Sequence, residues 1–448
     1  MSTGNRPVAF GLAGLGGFAG YICDRLLDAH HSPEPAARLL AVFEPELERF
    51  EKRAHQLQDL GVRLAGSYEE LLEFQLDAVW LPLPIDLHCS FTVAAVSAGK
   101  AVVCEKPAAG CVDDVDSMIA ARDRARRQVH IGFQDLYQPC VPILKRRLLR
   151  GDLGRPVAAS VIGCWPRSSE YFSRNQWAGR LRRHGRWVMD SPVSNALSHF
   201  LHLALFLLGP TAESAASPVE VAAELYRANA IENYDTCAMR FTLDGDVPLL
   251  VACTHACETS VEPVITIESE RGRIRYLAGR HAEVRVGTHT EVIPLLGNPY
   301  PRLLEGFQDY LHGGRASGSI AATLETARAH VVAVNAASEA AAVHDVPAEF
   351  IDVCQADSGP VHAIRGIVPA MQYMTDHKCL LSETELLPWS RPPQRKQIHQ
   401  YTHFAGPKQS NGRPTVADRH GQTVPVVAIH GAAAARREGE PAGECTST

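Results

Sequence analysis

The sequence lacks the features that mark several classes of protein. Its 448 residues contain no run of about 18 uninterrupted apolar residues, so no transmembrane helix is predicted. The first twenty residues lack the basic segment and unbroken apolar stretch of a secretory signal. Lys and Arg number 44 against 50 Asp and Glu, a net charge of −6. This balance gives no basic excess for a nucleic-acid surface, and no nucleic-acid or membrane partner is predicted.

Paired cysteine motifs are also missing. The 12 Cys include no CxxC pair, which favours reduced thiols and a cytoplasmic protein. Cys253, His255 and Cys257 would share one face of a strand, but no fourth ligand follows at a usual zinc spacing. We therefore interpret them as buried strand residues, and no metal site is predicted.

Leucine is absent from 388–448, where Arg, Pro, Gly, Gln and Ser are frequent. Such a segment buries too little apolar surface to offset the roughly 1–2 kcal/mol of entropy lost per ordered residue. It is predicted to be a disordered tail. The rest has an ordinary globular composition, with 46% hydrophobic residues in the whole chain.

Short apolar runs alternate with helical patterns over 1–135. Strands are predicted at 8–13, 39–43, 78–83, 101–104 and 129–133. Strands alternating with helices of 10–15 residues indicate a parallel sheet covered on both faces. We therefore predict an α/β domain that binds a dinucleotide.

The pattern changes over 136–387. Turn-linked, strand-like segments follow one another, and helices are predicted at 142–150, 190–208, 302–312 and 320–342. We interpret this region as a substrate and oligomerisation domain of the α+β class. Its open sheet would be mainly antiparallel, with helices on one face.

A glycine loop joins the first strand to the first helix. Its sequence is Gly14-Leu15-Gly16-Gly17-Phe18-Ala19, a GxGxxA pattern. The first glycine permits a tight turn, the second allows a pyrophosphate to approach, and the small third residue lets helix and strand pack closely. The free N–H groups of the helix would then face the phosphates.

Glu44 follows the second predicted strand. A carboxylate there would bond the adenine ribose hydroxyls and repel a 2′-phosphate, so NAD is favoured over NADP. A solvated acid at a helix start is the alternative for Glu44.

A Glu-Lys-Pro motif ends the fourth strand, in the run Ala98-Gly99-Lys100-Ala101-Val102-Val103-Cys104-Glu105-Lys106-Pro107. Together with the glycine loop, Glu44-Pro45, the segment from Pro84 to His88 and Gly132-Phe133-Gln134, this run resembles the Gfo/Idh/MocA family (glucose–fructose oxidoreductase and inositol dehydrogenase). The resemblance covers the layout of about residues 7–345.

The resemblance implies that Lys106 lies beside the substrate hydroxyl and the nicotinamide. Burial could lower its pKa enough for it to accept a proton. A structural ion pair is the alternative. Glu105 would position the cofactor, and Pro84, His88 and Gln134 would also lie at the cofactor site.

The family also carries an Asp-x-x-x-His-x-x-Asp pattern on a helix. His199 takes the histidine position and would act as acid, base or relay, while Asn195 and His202 stand where the family has Asp. Asp190 is predicted to replace the missing carboxylate, or to cap the helix. Asn195 and His202 would contact substrate from the same helix face as His199. A core histidine and a metal ligand are the alternatives for this face.

Residues 167–187 hold six Arg, no Lys and one acidic residue. Arg grips carboxylate or phosphate groups in bidentate fashion. The family resemblance places this segment at the substrate mouth, so Arg167, Trp177, Arg180 and Arg186 are predicted to bind an anionic or glycosylated substrate. A solvated or subunit-interface loop is the alternative.

These observations predict an NAD-dependent oxidoreductase for a secondary alcohol of a sugar, cyclitol or glycoside. One alternative is a dinucleotide-binding sensor without turnover, and another is an enzyme that retains its cofactor between two substrates. The resemblance also implies a homodimer or homotetramer formed through the open sheet.

Overall fold

The structure is a computed structural model that describes residues 6–33, 35–312 and 322–409 and the backbone of two short strands, Thr415–Ala417 and Thr423–Pro425. The chain divides into two units, residues 1–410 and 411–448. In the second unit the two short strands pair antiparallel. No helix in the described part of the chain is long and apolar enough to cross a bilayer.

The first sheet has six parallel strands. They are β1 (Val8–Ala13), β2 (Ala37–Phe43), β3 (Arg63–Ala65), β4 (Ala78–Leu81), β5 (Ala101–Cys104) and β6 (Val129–Ile131). Their spatial order is β3-β2-β1-β4-β5-β6. The flanking helices are α1 (Phe18–His30), α2 (Glu51–Asp59), α3 (Tyr68–Glu73), α4 (Ile85–Ser97) and α5 (Val112–Ala125).

The central strands read as continuous apolar runs because helices cover both faces of the sheet. All four residues of β4 and of β5 are buried. The predicted parallel, helix-covered sheet is confirmed. Strand β3 and helix α3 were not predicted, since three and six residues are too short to show a clear period.

The second sheet has ten strands in the order β16-β15-β14-β13-β7-β12-β11-β10-β17, with β20 also paired to β10. These strands are β7 (Pro156–Cys164), β10 (Pro218–Arg227), β11 (Thr236–Leu243), β12 (Pro248–Thr254), β13 (Val261–Ser269), β14 (Gly272–Leu277), β15 (His281–Val286), β16 (His289–Pro294), β17 (Val343–Asp345) and β20 (Gln394–Gln397). Two-stranded ribbons are formed by β8 (Arg182–Arg183) with β9 (Arg186–Trp187), and by β18 (Ile351–Ala356) with β19 (Gly359–Ile364).

The pairs β7–β12 and β10–β17 are parallel and the other pairs of this sheet are antiparallel, so the predicted mainly antiparallel sheet is confirmed. The remaining helices are α6 (Cys140–Arg150), α7 (Ser169–Ser173), α8 (Ser198–Leu208), α9 (Tyr300–Leu311), α10 (Leu324–Ala340) and α11 (Ile367–His377).

Helices cover both faces of the second sheet, which corrects the prediction of helices on one face. The inner face packs on α8 and α10 within the main core. Alternate residues of β7 and β10–β12 point to the outer face, where Met371 and Met374 of α11 pack over them. We call this second core the outer core. It extends through residues 343–389, whose contribution the sequence pattern did not indicate.

The predicted disordered tail is wrong for 388–409. Residues 394–397 form β20 against β10, and Ile398 and Phe404 are 6% and 2% exposed in the core. This segment joins an existing sheet and core, so it does not need leucines of its own. Of the remaining tail, the structure describes only the two short strands in the second unit. The predicted boundaries at 135 and 387 remain predictions.

Helix α10 links the two sheets. The Asn335 side chain accepts a hydrogen bond from Val112 N–H at 3.0 Å and donates one to Gly110 O at 3.0 Å. Just before α10, Ala322 O accepts from Ile131 N–H of β6. The carboxyl edge of the first sheet is thereby held against the second sheet.

Candidate active site

The glycine loop lies at the carboxyl edge of the first sheet, between β1 and α1. Gly14 has a φ of +108°, and its N–H donates to Phe43 O at 2.6 Å. A Cβ at Gly14 would lie 3.1 Å from Ala19 Cβ, which explains the need for small residues. Gly16, Gly17 and Phe18 are exposed.

The first turn of α1 fits a phosphate group. Gly17 precedes the helix with a φ of +53° and provides no side-chain cap, and the first turn contains no acid. The first N–H groups of α1 are therefore free of a side-chain acceptor and face an open loop. These features match the requirements of a dinucleotide pyrophosphate.

Glu44 lies directly after β2, against the same loop. Its Oε2 accepts a hydrogen bond from Leu15 N–H at 2.7 Å, and its Oε1 accepts one from Glu46 N–H at 3.0 Å. These bonds hold the carboxylate beside the glycine loop and leave further lone pairs on both oxygens. Its predicted contact with the ribose remains a prediction.

Glu105 and Lys106 follow β5 at this edge. Trp80 Nε1–H donates to Glu105 Oε1 at 3.1 Å, and burial raises the pKa of Glu105 to about 7. A Cβ at Gly132 would lie 2.5 Å from the Glu105 carboxylate, so this glycine makes room for it. Glu105 is thus a buried support, and Lys106 is the partly exposed end of the motif.

The Lys106 side chain is held by the loop before α8. Its Nζ donates to Asn195 O at 2.9 Å and to Asn195 Oδ1 at 3.0 Å. Asn195 Nδ2 in turn donates to Asp190 Oδ1 at 2.8 Å, and Asp190 Oδ2 accepts from Gly179 N–H at 2.6 Å. Burial lowers the pKa of Lys106, whereas the charges of Glu105 and Asp190 raise it.

This chain of bonds redefines the role of Asp190. The predicted helix over 190–208 begins only at Ser198, and Leu197 precedes it without a side-chain cap. Asp190 therefore neither caps α8 nor contacts His199. It orients Asn195, which fixes the position of the Lys106 amine.

His199 lies in the first turn of α8, with its ring beside the last strand of the first sheet. Its Nδ1 is 3.3 Å from Asp135 Oδ2, and its Nε2 is 3.5 Å from Gln134 Nε2. Burial, followed by the charge of Lys106, holds the pKa of His199 well below its ordinary value. Lys106, His199 and Gln134 are thus grouped at one edge of the first sheet, and their predicted catalytic and cofactor roles remain predictions.

Two predicted site histidines belong to the interior. His88 is fully buried, and both ring nitrogens lie 2.8 Å from backbone carbonyls, those of Pro107 and Leu83. His202 is fully buried and stacks on Phe133 with ring centroids 3.8 Å apart. Neither ring is accessible, so the predicted cofactor contact of His88 and substrate contact of His202 are corrected to structural roles. Pro84, by contrast, ends the loop after β4 and precedes α4 at the sheet edge.

Arg167 and Arg174 form a cationic patch around the Tyr171 ring. The Arg174 guanidinium lies 3.5 Å from the centre of the Tyr171 ring, and the Arg167 guanidinium lies 4.8 Å from it. In the described part of the chain, neither forms an ion pair with a carboxylate. The charge of Arg174 lowers the pKa of Lys106.

The other predicted arginines have protein partners. Arg180 pairs with Glu232 at 2.6 Å, and Arg186 donates to Ser90 Oγ at 2.9 Å. Arg186 therefore joins the arginine segment to α4, and its prediction as a substrate ligand is corrected. Trp177 is half-buried, 5.3 Å from the Arg174 guanidinium.

Sequence reasoning missed Asp135, Arg174 and Tyr276 as individual site residues. Tyr276 Oη donates to Asp135 Oδ1 at 3.0 Å, from β14 of the second sheet. The position of Asp135 directly after β6, at a carboxyl edge, was the available signal. No group of three His, Cys, Asp or Glu side chains in the described residues is arranged for a metal ion.

The fold joins a parallel, Rossmann-type sheet to a second, mainly antiparallel sheet, and the site lies at the carboxyl edge of the first sheet. Residues 8–133 match the family model described as "Oxidoreductase family, NAD-binding Rossmann fold". Over residues 8–133 the chain is therefore similar to the Gfo/Idh/MocA oxidoreductases, and this part of the chain is an NAD-binding domain.

Curated relatives include dehydrogenases of sugars and cyclitols. The chain is 28% identical to D-apiose dehydrogenase of Paraburkholderia graminis over 264 residues, which are 57% of this chain and 65% of the relative. It is 33% identical to inositol 2-dehydrogenase 4 of Saccharopolyspora erythraea over 158 residues, 34% of this chain and 44% of the relative. The chain thus spans less than two thirds of each of these relatives.

Solved structures share the two-domain fold. The WlbA dehydrogenase from Bordetella pertussis, in complex with NADH and UDP-GlcNAcA, is 21% identical with a TM-score of 0.58, covering 73% of this chain and 94% of that one. Aldose-aldose oxidoreductase from Caulobacter crescentus is 20% identical with a TM-score of 0.60, covering 74% of this chain and 97% of that one.

Proposed function

We propose that the protein is an NAD-dependent dehydrogenase that interconverts a secondary alcohol and a ketone on a sugar, cyclitol or glycoside. The observation that carries this proposal is the placement of the Lys106 amine. It lies at the carboxyl edge of the first sheet, where the glycine loop also lies, and Asn195 fixes it from the second domain.

NAD supplies a hydride acceptor at this edge when it is bound. The glycine loop and the first turn of α1 would hold its pyrophosphate, and Glu44 would bond the ribose. A carboxylate at that position repels a 2′-phosphate, which favours NAD over NADP.

Lys106 binds and deprotonates the substrate hydroxyl. Two of its possible hydrogen bonds are made to Asn195, so a third direction remains for the reacting oxygen. Because burial lowers the pKa of Lys106, a larger fraction of the amine is neutral and can accept the hydroxyl proton. In the reverse direction, the ammonium donates that proton to the new alkoxide.

His199 relays the proton between Lys106 and solvent. Its side chain is 10% exposed, and the charge of Lys106 acts on its ring. Asn195 and Asp190 hold the amine still, so that the carbinol carbon faces the hydride acceptor. Their contribution is orientation, which lowers the entropic part of the barrier.

The substrate carries an anionic group in this proposal. Arg167 and Arg174 flank the Tyr171 ring without a carboxylate partner in the described residues, and the charge of Arg174 acts on Lys106. A half-buried guanidinium such as that of Arg167 and an exposed one such as that of Arg174, neither with an ion-pair partner among the described residues, favour binding of a carboxylate or phosphate. Trp177, half-buried beside Arg174, adds an aromatic ring for a sugar.

The test is a turnover assay with wild type and the Lys106→Met variant. NADH absorbance is followed with NAD or NADP against matched neutral and anionic sugars and cyclitols. We expect turnover with NAD, a lower KM for the anionic members, and a 10²- to 10⁴-fold loss of kcat in Lys106→Met, because the hydroxyl proton loses its acceptor.

Lys100→Met is the matched control, since Lys100 precedes the same strand at its opposite end and its Nζ only donates to Phe74 O. Both variants should bind NAD like wild type in a fluorescence titration. If Lys106→Met kept full activity on a substrate that the wild type converts, the proposed role of Lys106 would be contradicted. If the wild type bound NAD but converted none of the substrates, a dinucleotide-binding sensor would be supported instead.

A further inference from the structure

The carboxylate that faces His199 does not come from its own helix. Helix α8 contains no acidic residue, and Asn195 stands one turn before His199. Asp190 is engaged by Asn195 and Gly179 N–H. The carboxylate in contact with the His199 ring is Asp135, whose Oδ2 lies 3.3 Å from Nδ1.

Asp135 is fixed from two directions. It lies in a 3₁₀ turn over Gln134–Tyr137, directly after β6 of the first sheet. From the second sheet, Tyr276 Oη donates to its Oδ1 at 3.0 Å. The carboxylate is therefore held with one oxygen occupied and the other facing the imidazole.

The ring of His199 has opposite environments at its two nitrogens. Nδ1 is buried and has no hydrogen-bond partner apart from this ionic contact at 3.3 Å. Nε2 lies 3.5 Å from the Gln134 amide nitrogen, which is a donor. This arrangement favours the tautomer with its proton on Nδ1, facing Asp135, and a lone pair on Nε2.

A charge on His199 needs compensation. Its ring is packed near Lys106 after β5, His202 on α8 and His330 on α10, and all three disfavour a positive charge on it, as burial does. Asp135 is the carboxylate that contacts the ring among the described residues. A proton can be held on His199 during turnover only if this negative charge balances it.

We propose that Asp135 is the positioning residue that orients His199 and balances its charge, replacing the carboxylate that the helix pattern of the family places near the histidine. When His199 takes the proton released by the substrate hydroxyl through Lys106, Nε2 receives it while the Nδ1 proton stays directed at Asp135. The proton then leaves from Nε2 to water. This role rests on the proposed function.

The test compares Asp135→Asn, Asp135→Glu and Tyr276→Phe. Asparagine keeps the size of the side chain and an acceptor for Tyr276 but removes the charge. Tyr276→Phe removes one hydrogen bond and keeps the charge. We expect about a hundredfold loss of kcat in Asp135→Asn with unchanged NAD affinity, partial rescue in Asp135→Glu, and a smaller loss in Tyr276→Phe.

The pH profile separates charge balance from a packing defect. Without the carboxylate the imidazolium of His199 is less stable, so the acidic limb of kcat/KM should move to lower pH in Asp135→Asn. It should stay near the wild-type position in Tyr276→Phe. An equal loss of activity in both variants, with unshifted profiles, would show a purely structural role and overturn the proposal.

A second measurement does not depend on turnover. The ¹⁵N shifts of the His199 ring, assigned by comparison with His199→Gln, report its tautomer and titration in the protein without substrate. We expect Asp135→Asn to lower the midpoint pH of the His199 titration and to populate both neutral tautomers of the His199 ring. If the ¹⁵N shifts of the His199 ring were the same in Asp135→Asn and wild type, the proposed role of Asp135 would be overturned. If the shifts changed as expected but the wild type showed no turnover, the Asp135–His199 interaction would stand and only the proposed enzymatic function would be refuted.

Discussion

Lys145 shows how a single buried charge can stabilise a functional helix. It is 1% exposed, and its Nζ donates to Phe206 O, Gly209 O and Ser214 O at 2.5, 2.7 and 3.2 Å. These carbonyls lie at the end of α8, whose first turn carries His199. The ammonium therefore satisfies the end of the helix that presents the histidine.

We expect Lys145→Met to lower the free energy of unfolding by about 2–4 kcal/mol, because buried carbonyls lose their donor. Burial lowers the pKa of Lys145 to about 7, below its unfolded value. The unfolded chain then binds the proton more tightly, so this group adds stability as pH rises from about 7 towards 10.5. The difference between wild type and variant should grow between pH 7 and 9.

Urea unfolding at pH 6, 7 and 9 measures this difference. Arg146→Met, at the exposed neighbouring position, is the control and should change stability by less than about 0.5 kcal/mol. An equal effect of the two substitutions would show that the Lys145 bonds contribute nothing.

Residues of the site were predictable where the chemistry is local in sequence. The glycine loop and Lys106 stand beside strands with clear apolar patterns, and their geometry follows from the edge of a parallel sheet. The pairs Asp135–His199 and Asp190–Asn195–Lys106 could not be predicted, because tertiary packing brings their members together. The stacking of His202 on Phe133 is likewise a tertiary contact that no periodicity reports.

Helix α11 is an element with a clear task, which is to seal the outer face of the second sheet. Met371 is fully buried in the outer core, whereas Tyr373, two residues later, is 41% exposed. The helix covers β7 and β10–β12, where outward-facing residues such as Tyr226 and Leu250 are apolar.

We expect Met371→Asp to destabilise the protein by more than about 3 kcal/mol, because a carboxylate would be buried without a partner. Tyr373→Asp, on the exposed side of the same helix, should cost less than about 1 kcal/mol. Denaturant unfolding followed by tryptophan fluorescence compares the two. Equal stabilities would mean that α11 is not part of the cooperative fold.

Helices and strands were predicted well where their own residues show a regular apolar period. They were predicted poorly where pairing with another element determines their structure. Strands such as β5 and β11 carry their own apolar pattern. By contrast, β20 has the sequence Gln-Arg-Lys-Gln, and its hydrogen bonds to β10 make it a strand. The helix predicted from 190 starts only at Ser198. In the preceding loop, Asp190 and Asn195 form the hydrogen bonds that hold Lys106.

At the scale of the whole molecule, the outer face of the second sheet is only partly covered. A groove of about 700 Å³ on this face is bounded by α11 and lies over β7 and β11–β14, and its lining includes Thr266, Glu268, Arg273 and Arg275. We propose that assembly of a homodimer or homotetramer through the sheet uses this uncovered half. The sequence pattern predicted that the whole outer face would be free for subunit contact, but α11 of the same chain covers half of it.

We expect light scattering to give two or four times the mass of one chain. Thr266→Arg, in the middle of the uncovered half, should shift the protein to a lower mass, because it adds charge and volume where the partner packs. Val353→Arg lies on β18, is 57% exposed in the wild type, and should leave the mass unchanged. A monomeric wild type would refute the assembly.

The pairing of β10 has a consequence for synthesis on the ribosome. One edge of β10 pairs with β11, which is the next strand in the chain. The other edge pairs with β17 and β20, which are synthesised about 120 and 170 residues later. At roughly 5–20 residues per second, that edge stays unpaired for about 6 to 35 seconds. During this interval the nascent chain presents an open strand, so a chaperone that shields it would raise the yield of native protein, and slow elongation after 227 would lower it.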